Sequence, residues 1–192
     1  QDNNDICPDT GTRLSVNGTL ATESNQSLED ATVLLMGSEL SANTNVNGQF
    51  GFNNMQSGGQ YSVVPEKNDD HMNGVSTLDL VMIQRHVLGL EKLPSAYKQI
   101  AADVNKDGKI SAADLVELRK LILGSVNGFS NNNSWRFVDK GYQFIETNNA
   151  QGEAFPESYN IDVLNTDMTT DFVAVKIGDV NGNAVANNFT NN

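Results

Sequence analysis

The stretch Asp103-Val104-Asn105-Lys106-Asp107-Gly108-Lys109-Ile110-Ser111-Ala112-Ala113-Asp114 lies near the middle of the chain. It has the spacing of a twelve-residue calcium-binding loop, with oxygen donors at positions 1, 3, 5, 9 and 12 and a glycine at position 6 for the sharp turn. Position 7 provides a backbone carbonyl, and calcium prefers such oxygen ligands. The sequence therefore predicts one calcium site, with the ligands Asp103, Asn105, Asp107, Lys109 through its carbonyl, Ser111 and Asp114.

A helical pattern follows this loop, and the same pattern occurs 35 residues earlier. Residues 79–89 align without gaps on residues 114–124, with five of eleven positions identical. Leu115, Leu118, Leu121 and Ile122 form an apolar stripe at helical spacing, and Gly124 is a typical residue to end the helix. An internal repeat of this kind indicates a duplicated loop-plus-helix unit.

The two units, joined by a predicted short helix over residues 94–100, resemble the dockerin family over residues 67–124. The resemblance implies a calcium-dependent module that binds a cohesin partner through its paired helices. It places the contact positions of the family on Thr77, Leu78, Gln84, Arg85, Ala112, Ala113, Arg119 and Lys120.

The first loop departs from this pattern. A shift of 35 residues puts Met72 at position 5, and a thioether is a poor ligand for calcium. A register one residue away would instead recruit Asp69 and place Asn73-Gly74 at the turn. We expect a weaker or altered second site, with the ligands Asn68, Asp70, Ser76 and Asp79.

A third stretch, Asp179-Val180-Asn181-Gly182-Asn183, has the beginning of a calcium loop but no acidic residue at position 12. A turn after the last strand is therefore the interpretation that we favour for it.

Both flanks of the helical segment have the alternation of β-strands. Predicted strands cover residues 13–20, 31–36, 49–52, 61–64, 134–138, 142–145, 159–164 and 172–177. The Asn47-Gly48 dipeptide predicts a hairpin turn, and Trp135 and Phe137 are expected in the core. These strands predict an α+β fold that is mainly β, in which a β-sandwich is built from the N-terminal and C-terminal segments and carries a helical insert.

The first flank also resembles the carboxypeptidase regulatory-like β-sandwich family. The resemblance rests on Val16-Asn17-Gly18-Thr19-Leu20, Ala31-Thr32-Val33-Leu34-Leu35, Asn47-Gly48-Gln49-Phe50-Gly51-Phe52 and Gly58-Gly59-Gln60-Tyr61. It implies a scaffold without catalytic activity.

Charge marks the borders of the insert, because residues 67–124 carry eight acidic and eight basic side chains whereas the remaining residues hold 16 acidic and four basic ones. The predicted organisation is an extended segment over residues 1–12, a first sandwich part over 13–66, the dockerin-like module over 67–124 and a C-terminal β segment over 125–192.

The overall composition excludes some classes of function. The net charge of −12 argues against a nucleic-acid partner, and no apolar run reaches the roughly 18 residues that insertion into a membrane requires. The 26 asparagines suit a secreted protein, so we expect an extracellular or cell-surface location after removal of a signal peptide. Cys7, the single cysteine, is expected to be a free thiol, with a bridge between chains as the alternative.

The sequence offers no catalytic motif, so we do not expect an enzyme. His71 and His86 both lie in the insert, and His86 aligns with Leu121, which favours a packing role. One hypothesis is a calcium-binding subunit that self-assembles through its polar termini into an extracellular fibre or surface layer, as a homo-oligomer or polymer. The alternative is an adaptor that binds a cohesin-like protein in a polysaccharide-degrading or cell-surface complex.

Overall fold

The computed structural model describes residues 12–146, 149–150 and 152–187. The predicted N-terminal segment, Cys7 and the end of the C-terminal tail lie outside these residues. The strands and helices in chain order are β1 Arg13–Thr22, β2 Thr32–Met36, β3 Leu40–Asn43, β4 Gln49–Gln56, β5 Tyr61–Glu66, α1 Thr77–Val87, α2 Ala96–Ala102, α3 Ala112–Ile122, β6 Trp135–Asp139, β7 Tyr159–Ile161, β8 Met168–Thr169 and β9 Phe172–Lys176. The prediction of a mainly β, α+β fold is confirmed.

Strands from both sides of the helical segment share each of the two sheets. One sheet has the order β4-β1-β9-β6, with β8 also paired to β1, and the other has the order β3-β2-β5-β7. The central contact of the first sheet joins the two ends of the chain, because β1 and β9 run parallel with Leu20 opposite Phe172. The β strands before and after the insert therefore form one structural unit.

The two sheets enclose a common hydrophobic core. Val16 and Leu20 of β1 and Val33 of β2 are fully buried, and they pack in one cluster with Trp135 and Phe137 of β6. Trp135 and Phe137 are 2% and 3% exposed, which confirms their predicted burial. Gly18 is required where β1 passes close to the Thr170 carbonyl and the Phe50 ring, since a Cβ there would collide with both.

One predicted strand is wrong. Residues 142–145 form no strand, because their aromatic side chains pack into a separate cluster. Phe144 contacts Tyr142, Tyr97 and Phe155 with ring-centroid distances of 5.2, 5.6 and 6.1 Å. The alternation of apolar residues in this segment thus serves the packing of aromatic rings against α2.

The helical insert packs on the outer face of the first sheet. A second hydrophobic cluster combines Leu80 and Ile83 of α1 and Leu118 of α3 with Val138 of β6 and Val175 of β9. Every residue of β9 is buried, because this strand lies between the two clusters. No helix within the described residues is long and apolar enough to cross a membrane.

Candidate calcium loops and the exposed helix face

The loop before α3 begins at Asp103, the C-cap residue of α2. The Asp103 side chain accepts hydrogen bonds of 3.0 Å from the backbone N–H groups of Asp107 and Gly108, and the residue is 8% exposed. Burial raises the pKa of Asp103 above its ordinary value, although the two N–H groups oppose this shift. The neighbouring carboxylates of Asp114 and Asp107 raise this pKa further. A cation would relieve this concentration of negative charge.

Asp114 closes the loop onto the helix. Its carboxylate accepts hydrogen bonds from the N–H of Asn105 at 3.1 Å and from the N–H of Ser111 at 2.8 Å. The Ser111 hydroxyl accepts hydrogen bonds from the N–H groups of Ala113 and Asp114, and with the bond from the Ser111 N–H to the Asp114 carboxylate this forms a capping box. The fully buried Asp114 therefore binds both the beginning of the loop, at Asn105, and the N-cap of α3, at Ser111. These bonds join the loop and the helix into one local structure.

The turn inside the loop has the backbone that its sequence predicts. Lys106 and Gly108 adopt positive φ angles of 60° and 81°. The Asn105 side-chain oxygen accepts a hydrogen bond from the Asp107 N–H at 3.0 Å, and Asp107 accepts one from the Lys109 N–H at 2.9 Å. The predicted ligands are thus all in one loop.

The donor set of this loop fits calcium in its chemistry. It offers carboxylate, amide, hydroxyl and carbonyl oxygens, which are the ligands of a hard cation. Within the described part of the chain no three His, Cys, Asp or Glu side chains are placed to hold a metal ion by themselves. A calcium ion here would therefore need the Asn105, Ser111 and Lys109 oxygens in addition to the carboxylates.

The residues predicted for the second site fall into two groups. Ser76 and Asp79 form a capping box at the start of α1, with hydrogen bonds of 2.9 and 2.8 Å from the Ser76 N–H and hydroxyl to Asp79. Asn68 instead accepts a hydrogen bond from the Ser134 N–H at 2.9 Å, and Asp70 is one of the acidic residues whose charge acts on Lys176.

The turn after β9 contains functional candidates that the sequence analysis interpreted as a simple turn. Asp79 accepts hydrogen bonds from the N–H groups of Val180 and Asn181, at 3.0 and 3.1 Å. Asp179 folds the turn by accepting a hydrogen bond of 2.7 Å from the Gly182 N–H. The Asp-Val-Asn sequence shared with residues 103–105 was the available signal, but the distance along the chain concealed the contact with Asp79.

The second candidate functional site is the outward side of α1 and α3. All eight predicted contact positions are exposed: Thr77, Leu78, Gln84, Arg85, Ala112, Ala113, Arg119 and Lys120. Four further apolar residues, which the prediction omitted, extend this face: Val81, Leu88, Val116 and Leu123. We call these twelve residues the helix face. The omitted residues occur in pairs separated by 35 positions, and the internal repeat could have identified them.

The histidines have structural contacts in the insert. The Nδ1 atom of His86 accepts a hydrogen bond from the Leu93 N–H at 3.0 Å, and burial, with a contribution from Lys92, lowers the His86 pKa. The ring of His71 packs edge-on against Phe129, with a centroid distance of 5.1 Å. Both histidines therefore have contacts that stabilise the packing of the insert.

Comparison with known proteins identifies the insert. Residues 68–123 match the family described as Dockerin type I domain, so the chain contains a dockerin-like module, with β-strands before and after it in the sequence. A structure of BcpA, the major pilin subunit of Bacillus cereus, is similar to 30% of this chain at 18% identity with a TM-score of 0.26, and this chain covers 19% of that one. A type II cohesin–X–dockerin complex from Acetivibrio cellulolyticus is similar to 56% of this chain at 20% identity with a TM-score of 0.26, and 94% of that chain is covered. These TM-scores do not establish a shared fold. No curated protein matches the chain.

Proposed function

We propose that this protein is an extracellular adaptor whose dockerin-like module binds a cohesin-like domain of another protein through the helix face. The observation that carries the proposal is a solvent-exposed apolar surface that occurs twice, once on each of two paired helices. Dockerin type I domains generally bind calcium, and we assign this role to the loop over residues 103–114.

The two sides of each helix differ in burial. On the inward sides Ile83 and Leu118 are fully buried, whereas on the outward sides Leu78, Val81 and Val116 are 56%, 50% and 50% exposed. Leu88 and Leu123 continue the outward surface at 61% and 71% exposure. Exposed apolar side chains that recur at equivalent positions of two helices indicate a site of protein–protein interaction.

Basic residues border this apolar surface on a chain that is otherwise strongly acidic. Arg119 and Lys120 lie on the outward side of α3 and are exposed, and Arg85 is exposed on α1, where it pairs with Glu91 at 2.9 Å. Arginine is enriched in protein interfaces, and cations at the border of an interface increase the rate of association with an acidic partner. We therefore expect a cohesin-like partner with an apolar centre and acidic surroundings, and a binding rate that falls with salt.

The loop residues position the helix face. When bound, calcium would neutralise the clustered carboxylates of the loop. Asp114 belongs both to the loop and to the capping box that begins α3, so a well-ordered loop fixes the start of the helix. We expect a chelator to loosen this start and to weaken binding of the partner.

Self-assembly into a fibre remains a prediction of the sequence alone. The hypothesis depends on the polar termini, and residues 1–11 and 188–192 lie outside the described residues. The adaptor accounts for the exposed helix face, and for this reason it is the function that we propose.

The proposal is tested by placing charges in the centre of the helix face. The double variant Val81→Glu/Val116→Glu should weaken binding to recombinant type I or type II cohesin domains by at least about tenfold, because charges would be buried in an apolar contact. Isothermal titration calorimetry in calcium measures the affinity. The matched control is Val163→Glu. Val163 is equally exposed, at 52%, but it lies two residues after β7, a strand of the other sheet. Equal affinities of the double variant and this control would reject the helix face as the binding surface.

A further inference from the structure

The turn after β9 reproduces the first half of the loop before α3. The Asp103 carboxylate accepts hydrogen bonds, both 3.0 Å long, from the N–H groups four and five residues later. The Asp179 carboxylate accepts hydrogen bonds of 3.3 and 2.8 Å from the N–H groups at the same two offsets. The fourth residue has a positive φ in both turns, 60° at Lys106 and 79° at Gly182.

The start of α1 reproduces the second half of the same loop. Ser76 and Asp79 form a capping box like that of Ser111 and Asp114. The N–H at the third loop position binds the last carboxylate in both places: Asn105 donates to Asp114 at 3.1 Å, and Asn181 donates to Asp79 at 3.1 Å. Position 12, which the sequence after Asp179 lacks, is therefore supplied by Asp79.

The two halves meet where an unbroken loop would continue from position 6 to position 7. Gly74 packs so closely on Ala184 that a Cβ on Gly74 would lie 2.6 Å from the Ala184 Cα. The Asn73 side chain exchanges two hydrogen bonds with the Val185 backbone, at 2.8 and 2.9 Å. Val75, 6% exposed, takes the apolar eighth position that Ile110 holds in the other loop.

An orphaned polar atom lies in this divided loop. The side-chain Nδ2 of Asn181 is buried and has no hydrogen-bond partner within the described residues. Asn181 corresponds to Asn105, a predicted ligand through its side-chain oxygen. Rotation of the amide by half a turn exchanges oxygen and nitrogen, and it would present an oxygen at this buried position. An oxygen there, together with the surrounding carboxylate, hydroxyl and carbonyl groups, gives a donor set that fits calcium.

The geometry points to a second calcium site that is divided between two distant segments of the chain. Its oxygens come from Asp179, Asn181, Asn183, the Gly74 carbonyl, Ser76 and Asp79. In this arrangement Asp179 and Asn181 take the two loop positions that were predicted for Asn68 and Asp70. The inference rests on the proposed calcium binding and extends it to α1 and to the segment after β9.

The divided loop carries less negative charge than the unbroken loop before α3. It has two carboxylates, from Asp79 and Asp179, where the loop before α3 has three. The buried ammonium of Lys176 also acts on Asp179. We therefore expect the divided site to bind calcium more weakly than residues 103–114.

Equilibrium dialysis of the complete chain against calcium, with metal content measured by atomic emission, tests the inference. We expect about two ions per wild-type chain and about one in either Asp179→Asn or Asp103→Asn, which alter the first position of each loop. The control Asp162→Asn alters an exposed aspartate outside both loops and should retain both ions. Asn181→Ala is the second variant, because the side-chain nitrogen that it removes has no hydrogen-bond partner within the described residues. It should weaken the lower-affinity site by at least about tenfold with an unchanged circular dichroism spectrum.

Different failures of this experiment have different meanings. A wild-type chain that holds a single ion, lost in Asp103→Asn but not in Asp179→Asn, overturns the divided site and leaves the proposed function intact. The divided site is also overturned if Asp179→Asn and Asn181→Ala both bind calcium like the wild type. A wild-type chain that binds no calcium contradicts both the divided site and the proposed role of calcium.

Discussion

The backbone N–H of Asn181 donates a hydrogen bond of 3.1 Å to the Asp79 carboxylate, although the two residues are 102 positions apart. The equivalent bond from Asn105 to Asp114, also 3.1 Å, spans nine positions. The dockerin-like module is thus tied to the C-terminal segment through the first residues of α1. The module is consequently joined to the rest of the fold by hydrogen bonds and by packing on the first sheet. An appendage would be connected by a flexible linker alone.

Replacement of Asp79 by alanine should destabilise the whole protein. The carboxylate is fully buried and accepts hydrogen bonds from Ser76, Val180 and Asn181. Loss of the helix cap and of acceptors for buried N–H groups should lower the free energy of unfolding by about 2–4 kcal/mol. Urea denaturation in a chelator measures the effect without metal, with the exposed Asp162→Ala as control. A loss below about 1 kcal/mol would mean that water replaces these bonds at little cost.

The Glu157–Arg136 ion pair should make the free energy of unfolding fall at acidic pH. Two hydrogen bonds of 3.1 and 2.7 Å join the side chains, and Arg136 also lies over the Phe155 ring. Burial opposes ionisation of Glu157, but Arg136 and, to a lesser extent, Lys106 outweigh it and hold the pKa of Glu157 below its ordinary value of 4.5. A carboxyl group with a lowered pKa stabilises the fold above the pKa of the unfolded state, and this contribution is lost as pH falls through the folded-state pKa.

The corresponding measurement compares Glu157→Gln with the wild type from pH 7 to pH 3. The wild type should be more stable at pH 7, and its advantage should shrink below about pH 4.5 as Glu157 takes up a proton. The exposed Glu39→Gln serves as control. An advantage that is constant with pH would show that the pair contributes no charge-dependent stability.

Lys176 should also make stability rise with pH, but in the alkaline range. Burial lowers its pKa from 10.5 to about 8, although Asp70, Asp179 and Asp69 oppose this shift. Between these two pH values the unfolded chain binds more protons at this residue than the folded chain, so its contribution to stability rises with pH. The free energy of unfolding of the wild type relative to Lys176→Met should therefore increase from pH 8 to pH 10. Lys92→Met, at an exposed position, is the control, and a flat difference would be inconsistent with a buried ammonium.

The predicted fibre can be tested separately through its N-terminal segment. Any polymers formed by the complete chain should disappear when residues 1–12 are deleted, because strand donation requires a free extended segment. Negative-stain microscopy of the pellet after centrifugation gives the readout. Deletion should leave the affinity for a cohesin domain unchanged, since all residues of the helix face belong to positions 77–123. Polymers that persist after deletion would exclude strand donation by this segment.

The loop over residues 103–114 was predictable because all of its oxygen donors lie within one short stretch and bind the backbone of that same stretch. The contact between Asp79 and Asn181 was not, because the two residues are 102 positions apart and only the tertiary structure brings them together. The error at residues 142–145 has a similar origin. Tyr142 donates a hydrogen bond of 2.6 Å to Glu153, and its ring contacts Phe144, so alternation reflected tertiary packing and not strand pairing.

Sedimentation velocity of the chain with and without a cohesin domain, in calcium and then in a chelator, tests the central proposal most directly. We expect a monomer when the chain is alone, and a one-to-one complex with the cohesin domain that forms in calcium and dissociates in the chelator. Calcium-dependent polymers of the chain alone, without any complex with the cohesin domains, would contradict the adaptor and favour the structural subunit.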